Sequence, residues 1–362
     1  MIGLPELLIL DVGHGNCAIL RDTQTVSVID CGYDGSILLR TLRRLDIEAV
    51  DHVLISHADS DHIGGLEPLI EALPIHNIYM NSDASKMGRM WKDTLRALEL
   101  AEHFGTQVHI GLTSSYSRKI ISGEVTIEIL APSASLAASG AGGTYLEGYS
   151  LDSNTMSVVI GLIHKSYRVV LLPGDMDEFS LNNILKRNKN IEAQILVFPH
   201  HGGNSGSADD QEFARKLCEL VKPDLALFSL DRSRYENPKE EVVRGVVTAL
   251  PTAHIMCTQL SCKCSLVPFP SNSGHLTNLP AKGDINNTCC GGTIRIKING
   301  CRTAYEPSLS LHREFVKSLS VSLTEDASIQ EQDEGIQISS EELSGPLCLR
   351  YLAKSSQGVP HV

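Results

Sequence analysis

Apolar residues early in the chain come in short runs broken by glycine-containing turns, from Leu7 to Leu10, Cys17 to Leu20 and Val26 to Ile29, which predicts three strands. The period then changes. Ile37, Leu38, Leu42 and Leu45 recur at helical intervals and predict an amphipathic helix over Ser36 to Leu45. Beyond it the pattern predicts a strand at Val53 to Ser56, a helix at Leu66 to Leu73, a strand at Ile75 to Met80 and a longer helix at Lys86 to Phe104. Strands follow near Val108 to Ile110, Val125 to Leu130, Met156 to Ile163 and Tyr167 to Leu172. Two strand and helix units, Ile195 to Phe198 with Gln211 to Leu220 and Leu225 to Ser229 with Glu240 to Leu250, complete the alternation, ahead of late strands at Ala253 to Met256 and Thr293 to Ile298. Ser133 to Tyr149 is rich in Ala, Gly and Ser and is expected to be a mobile loop.

One of these strands delivers the chain's densest chemistry. Directly after Val53 to Ser56 come His57, Ala58, Asp59, Ser60, Asp61, His62, Ile63, Gly64 and Gly65, with four nitrogen and oxygen donors in six residues. His57 and Asp59 alternate on one side of an extended segment and reach one ion; Asp61 and His62 sit where the chain turns toward a helix and reach a second. Histidine nitrogen with carboxylate oxygen suits zinc, manganese or iron better than calcium or magnesium. Asp175 and the His200-His201 pair also follow apolar strands. A carboxylate buried there without partners is expensive, so Asp175 reads as a bridge between cations or as the cap of a helix starting near Glu178. Of the two histidines, His201 is the expected ligand and His200 the expected catalytic or substrate-contacting partner; spacing alone does not separate adjacent residues.

The His57 to Gly65 stretch resembles the second signature motif of the metallo-β-lactamase superfamily, with Asp59 in place of its middle histidine. That variant is similar to the branch related to the soluble domain of the competence protein ComEC and to phosphorylcholine esterases. Four further segments resemble the branch in order: Leu10 to Asn16 with Ile29 to Gly32, Leu171 to Asp175, Val197 to Gly203, and Arg234 to Pro238. The resemblance covers roughly residues 4 to 300. It implies an α/β fold, a four-layer αββα sandwich of two mixed sheets packed face to face with helices outside. It also implies metal ligation by His57, Asp59, Asp61, His62, Asp175 and His201, and catalytic roles for Asp61 and His200. Two divalent ions, Zn or Mn, would lower the pKa of a water and clamp the substrate's oxygens.

The chain departs from the branch at identifiable places. His14 and Asn16 replace the usual Gln and Asp of the opening turn, Asn237 replaces a histidine, and Asn154 stands where many members have a further histidine. An amide oxygen is a poor zinc ligand, so the position served by His57, Asp59 and Asp175 is expected to bind weakly or to prefer manganese. Asp30, at a strand end, is expected to orient a ligand histidine rather than bind metal.

Charge and length narrow the setting. The chain has 362 residues and a formal net charge of -12, with nine acidic and two basic side chains between 306 and 342. Long duplex DNA requires several phosphates to be neutralised by Lys and Arg, so this balance favours a small phosphorylated substrate or a nucleic-acid end. No apolar run approaches the ~20 residues of a membrane span, and the N-terminus does not read as a signal peptide; the expected address is the cytoplasm, with no membrane partner.

Two segments remain. Six of the ten cysteines, Cys257, Cys262, Cys264, Cys289, Cys290 and Cys301, crowd one stretch. They read as a structural Zn site, with Cys257, Cys262, Cys264 and Cys289 as its ligands, as buried or reactive thiols, or as a disulfide. The expected organisation is a hydrolase domain over 1–305, with a Cys-rich insertion at 257–301, and an acidic C-terminal extension over 306–362. That extension combines helical periodicity from Ser308 to Leu323 with an apolar end, Leu347 to Leu352, and is a candidate contact for a protein partner. The expected function is a metal-dependent phosphodiesterase or nuclease. The alternatives are a non-catalytic or partner-regulated module of a multi-protein system, and a lactone or other ester hydrolase using the same hydroxide.

Overall fold

The computed structural model describes residues 4–330, apart from 117–119, 121–122, 188 and 269–273, and the side chains of 147 and 320–330. The chain begins with β1 (Glu6–Ile9), β2 (Cys17–Arg21) and β3 (Val26–Cys31) as an antiparallel meander. It continues through α1 (Ser36–Arg44), β4 (Val50–Leu54), α2 (Ser60–Ile63), α3 (Leu66–Ala72), β5 (Ile75–Met80), α4 (Arg89–His103) and β6 (Gln107–Ile110), with β3 to β6 parallel neighbours. Then come β7 (Val125–Ala131), α5 (Ala134–Ser139), the small hairpin β8 (Thr144–Tyr145) and β9 (Tyr149–Ser150), β10 (Val159–His164) and β11 (Tyr167–Leu172). α6 (Glu178–Lys186), β12 (Ile195–Val197), α7 (Asp210–Val221), β13 (Leu225–Phe228), α8 (Glu240–Ala249) and β14 (His254–Cys257) follow, and β11 to β14 are again parallel. β15 (Ile294–Lys297) and β16 (Ala304–Glu306) return to the first sheet beside β1, and α9 (Leu309–Gln330) closes the described chain. The first sheet runs β16-β15-β1-β2-β3-β4-β5-β6 and the second β14-β13-β12-β11-β10-β7.

Side-chain alternation turns these sheets into four layers. Leu7 and Ile9 of β1 join Leu20, Ile29 and Leu54 against Ile160, Leu162, Val170 and Val197 of the second sheet, forming the core between sheets. Leu8 and Leu10, one residue out of step, face the opposite way and pack with Ile37, Leu38 and Leu42 of α1 and Leu66 and Leu69 of α3. On the far side, Leu171, Leu196, Phe198 and Phe228 pack against Phe213 and Leu217 of α7, Val243 and Val246 of α8, and Phe315 and Val316 of α9. Each fully buried aliphatic or aromatic side chain contributes about 1.5–3 kcal/mol. The result is the expected αββα sandwich.

Some elements differ from expectation. The strand expected from Met156 begins at Val159, because Asp152 Oδ1 accepts bonds from Thr155 N and Thr155 Oγ1, both at 2.8 Å, and folds 152–155 into a turn. The loop expected over 133–149 carries α5, capped by Ser133, and the hairpin; Leu136, Ala141, Leu151 and Met156 give it a small core of its own. The segment of the expected C-terminal extension up to Leu319 packs into the second sheet's outer core, whereas 331–362, including the apolar end Leu347 to Leu352, lie outside the described residues. Among the described residues no helix is long and apolar enough to cross a membrane.

Candidate metal centre

The C-terminal ends of β3, β4, β11, β12 and β13 open onto one edge of the sandwich, the place where parallel strands leave room for a site. β4 delivers His57 to His62, β11 delivers Asp175, and β12 delivers His200 and His201. Gly174, with φ of 56°, makes the approach of Asp175 feasible: a Cβ there would stand 2.3 Å from Ser157 Oγ. His200 and His201 both take left-handed backbone, at φ of 52° and 55°, an uncommon conformation for non-glycine residues that this turn imposes twice in succession. Neither acidic candidate is spent on a helix cap. Asp59 sits at the N-cap of α2 without a capping hydrogen bond, and α6 is capped by Asp177, whose side chain accepts from Ser180 N.

Donor atoms of Asp61, His62, Asp175 and His201 lie within 4.8 Å of one another. Asp175 divides its carboxylate between two halves of the site. Its Oδ1 is 3.4 Å from His62 Nε2 and 3.8 Å from His201 Nε2, while its Oδ2 is 3.9 Å from His57 Nε2 and 3.7 Å from His200 Nδ1. Asp59 Oδ2 is 3.8 Å from His57 Nε2, and Lys86 Nζ is paired with Asp59 Oδ1. His57 and Asp59 thus stand apart from the tight group, as its neighbours across Asp175.

The ring orientations are fixed from behind. His62 Nδ1 contacts Asp30 Oδ2 at 2.8 Å, and Asp30 in turn accepts Ser56 N and Ser56 Oγ. His201 Nδ1 donates to Ser229 O at 2.9 Å, which leaves its Nε2 facing Asp61 Oδ2 at 3.2 Å. Ser56 Oγ is 3.0 Å from His57 Nδ1. In each case the second ring nitrogen is held so that the first points into the site.

Electrostatics follow from crowding. For Asp175, burial opposes ionisation, but His62 and His201 outweigh it and hold the carboxyl well below the usual range. For Asp61, burial is likewise outweighed by His201 and His62. Burial, then His62, lowers His57 to about 4. Even so, His57 Nε2, His62 Nε2 and His200 Nε2 are buried without a hydrogen-bond partner. The unpartnered nitrogens of His57 and His62, set 3.4–3.9 Å from carboxylate oxygens without hydrogen-bonding to them, are suitably spaced for ligands converging on a shared cation. The donor set fits a divalent metal of the zinc or manganese type.

Two participants are absent from the sequence-based set. His14, in the turn after β1, places Nε2 3.2 Å from Asp61 Oδ2 and packs its ring 4.6 Å from that of His201. The signal was present as an unusual histidine in the opening turn. Lys86 carried no signal, since only the fold brings it to Asp59. Asn154 does not line the cleft; its turn reaches the site through Ser157, whose Oγ accepts Asp175 N at 3.0 Å. The cleft itself measures about 650 Å³ and is walled by Lys86, Trp91, Asn204, Tyr235, Asn237 and Lys239.

The four cysteines expected to share a zinc are not brought together. Cys289 Sγ turns to Asp284 Oδ1 at 3.4 Å and Asp11 Oδ2 at 3.8 Å, and Cys262 is partly exposed.

The model of the metallo-beta-lactamase superfamily matches residues 10–140. The resemblance carried by the sequence motifs therefore holds over that stretch, and the sheets and helices form the αββα sandwich that it implies. The competence protein ComA of Neisseria gonorrhoeae is 27% identical over 237 residues, 65% of this chain and 27% of ComA, so the likeness spans about a quarter of that relative. Solved structures similar to this chain include the metallo hydrolase Igni18 from Ignicoccus hospitalis KIN4/I, at 14% identity and TM-score 0.42, covering 70% of this chain and 94% of that one. Another is YhfI from Bacillus subtilis, at 13% identity and TM-score 0.43, covering 70% and 96%. The family match and the clustered donors support a metal-dependent hydrolase.

Proposed function

We propose that the protein is a metal-dependent phosphodiesterase or nuclease acting on a nucleotide or a nucleic-acid end. The observation that carries this reading is the divided carboxylate of Asp175, one oxygen toward His62 and His201 and the other toward His57 and His200. His57, Asp59 and Asp175 would hold one divalent ion, and Asp61, His62, Asp175 and His201 a second. Such ions, when bound, supply Lewis-acid polarisation and lower the pKa of water, the chemistry of in-line displacement at phosphorus.

The remaining work falls to side chains. Asp61 accepts a hydrogen bond from the attacking water and aligns it. His200, on the Asp175 Oδ2 side with Nε2 unpartnered, donates a proton to the departing oxygen. Lys86 and Lys239, with the amides of Asn204 and Asn237, wall the cleft with donors that suit phosphate oxygens.

The test is hydrolysis of bis-nitrophenyl phosphate with added Mn or Zn, followed by a panel of linear DNA, RNA and cyclic nucleotides. The Asp61→Ala, His62→Ala double variant is expected to lose activity. Activity surviving that change removes the assigned site, and hydrolysis of a lactone in preference to every phosphodiester removes the substrate class.

A further inference from the structure

Thirty-six residues separate β14 from β15, and among the described ones the only helix or extended strand is a single 3-10 turn at Gly283–Ile285. A connection that long with so little hydrogen-bonded structure needs something else to fix it. Behind it, between the second sheet and α9, lies an enclosed cavity of about 20 Å³ lined by Cys257, Cys264, Cys290 and His312 among apolar side chains. That is room for a single small particle, since one water needs ~10–15 Å³ on this measure.

The four side chains line this one cavity, and two of them are in contact. Cys290 Sγ is 3.1 Å from His312 Nε2, and the other ring nitrogen of His312, which is fully buried, is held by His254 Nε2 at 2.9 Å. An imidazole gripped from behind while its front nitrogen meets a sulfur is how a ligating histidine is usually oriented. Burial is the largest influence on the thiols of Cys257 and Cys290 and keeps both protonated, and Cys257, Cys264 and Cys290 are near enough to influence one another's charge. Contacts show why this set differs from the one suggested by the cysteine run: Cys289, in an isolated bridge with Gln259, is committed to Asp11 and Asp284, whereas the next residue, Cys290, meets His312.

We propose that Cys257, Cys264, Cys290 and His312 form a closed structural site for one zinc ion, which ties the connection between β14 and β15 to α9. Three thiolates and one imidazole are a soft donor set that selects zinc over the harder divalent ions. The sulfurs are less tightly gathered than the donors of the Asp175 group, so loading turns the thiols inward about their Cα–Cβ bonds. Each thiol that binds loses its proton to solvent. The site shares no residue with the Asp175 centre, and its standing is independent of the hydrolase reading.

The experiment uses the full chain carrying Asp61→Ala and His62→Ala, which weakens the other centre, with metal counted by mass spectrometry after exhaustive dialysis against a weak chelator. One zinc per chain is expected to remain, to vanish on adding Cys290→Ala, and to be unaffected by Cys262→Ser or Cys289→Ser. Reconstitution of the same double variant with Co²⁺, cysteines intact, is expected to give the near-ultraviolet absorption of thiolate bound to cobalt, a readout that survives even if Cys290→Ala fails to fold. No retained zinc together with no thiolate band overturns the site. Zinc that persists in a folded Cys290→Ala variant, or that depends on Cys289, overturns this ligand set.

Discussion

His14 Nε2 and Asp61 Oδ2 lie 3.2 Å apart, on the same carboxylate oxygen that faces His201 Nε2. Burial, then His201, lowers His14 to about 4, so near neutral pH it is an uncharged imidazole in close polar contact with that oxygen. The turn is built for the contact, because a Cβ on Gly15 would stand 2.1 Å from Asp61 O. A polar contact of this kind contributes about 0.5–1.5 kcal/mol, so His14→Phe is expected to lower kcat/KM by about 2- to 10-fold. Steady-state kinetics on the phosphodiester probe check this; an unchanged value leaves His14 a packing residue only.

Asp30 should act through His62. It is buried, in left-handed backbone at φ of 54°, and joins Ser56 to His62 Nδ1. Asp30→Ala is expected to weaken metal binding at the Asp61 and His62 position by about 10- to 100-fold, the usual effect of removing a group that orients a ligand. Competition with a chromogenic chelator measures it, and an unaltered dissociation constant rules the positioning role out.

Much of this centre was legible because its donors occupy strand ends. The loop from His57 to His62, Asp175 and the two late histidines follow apolar runs whose period sets both their direction and their level in the sandwich. What the sequence does not carry is contact across long separations. His14 meets Asp61 and Lys86 meets Asp59 only after two sheets have stacked and a loop has folded over their edge. The cysteines show a related effect: nearness in sequence groups Cys262 and Cys289 with Cys257, whereas Cys289 turns to Asp11 and Asp284 and the cavity beside Cys257 is lined by Cys264, Cys290 and His312 of α9.

Lys86 competes with any cation for Asp59. Both side chains are about 30% exposed, which keeps the pair weak. Lys86→Met is expected to tighten metal binding at the His57 and Asp59 position on the order of fivefold, corresponding to ~1 kcal/mol. Metal stoichiometry at limiting Mn, compared with wild type, decides it; lower occupancy in the variant contradicts the competition.

α9 is expected to behave as part of the hydrolase domain up to Leu319. Phe315 is buried among second-sheet and α8 residues and stacks on His275 at 4.3 Å. Phe315→Ala should cost about 3–5 kcal/mol of unfolding free energy, the usual price of emptying such a site. Urea denaturation is the measurement, and a cost below about 1 kcal/mol would place the helix outside the cooperative unit.

Asp11 gives the stability a pH dependence of definite sign. The residue is fully buried at the end of β1, and burial is the largest influence on it, ahead of opposing bonds from Gln259, Gly283 and Gly13; its carboxyl is pushed up from 3.8 to about 6. An acid with a raised pKa holds its proton more tightly in the native chain than in the unfolded one. Its contribution is therefore fully present below pH 3.8 and is lost as the pH rises through about 6, after which it stays constant. The displacement corresponds to about 3 kcal/mol. Asp11→Asn cannot ionise, so the difference in unfolding free energy between wild type and variant should shift by about that amount, against wild type, between pH 4 and pH 7. Denaturant melts of both proteins at several pH values isolate the effect from other titrating groups. A difference that stays flat across that range means the carboxylate is as well solvated inside the protein as outside, and that the bonds from Gln259 and the two backbone amides fully offset its burial.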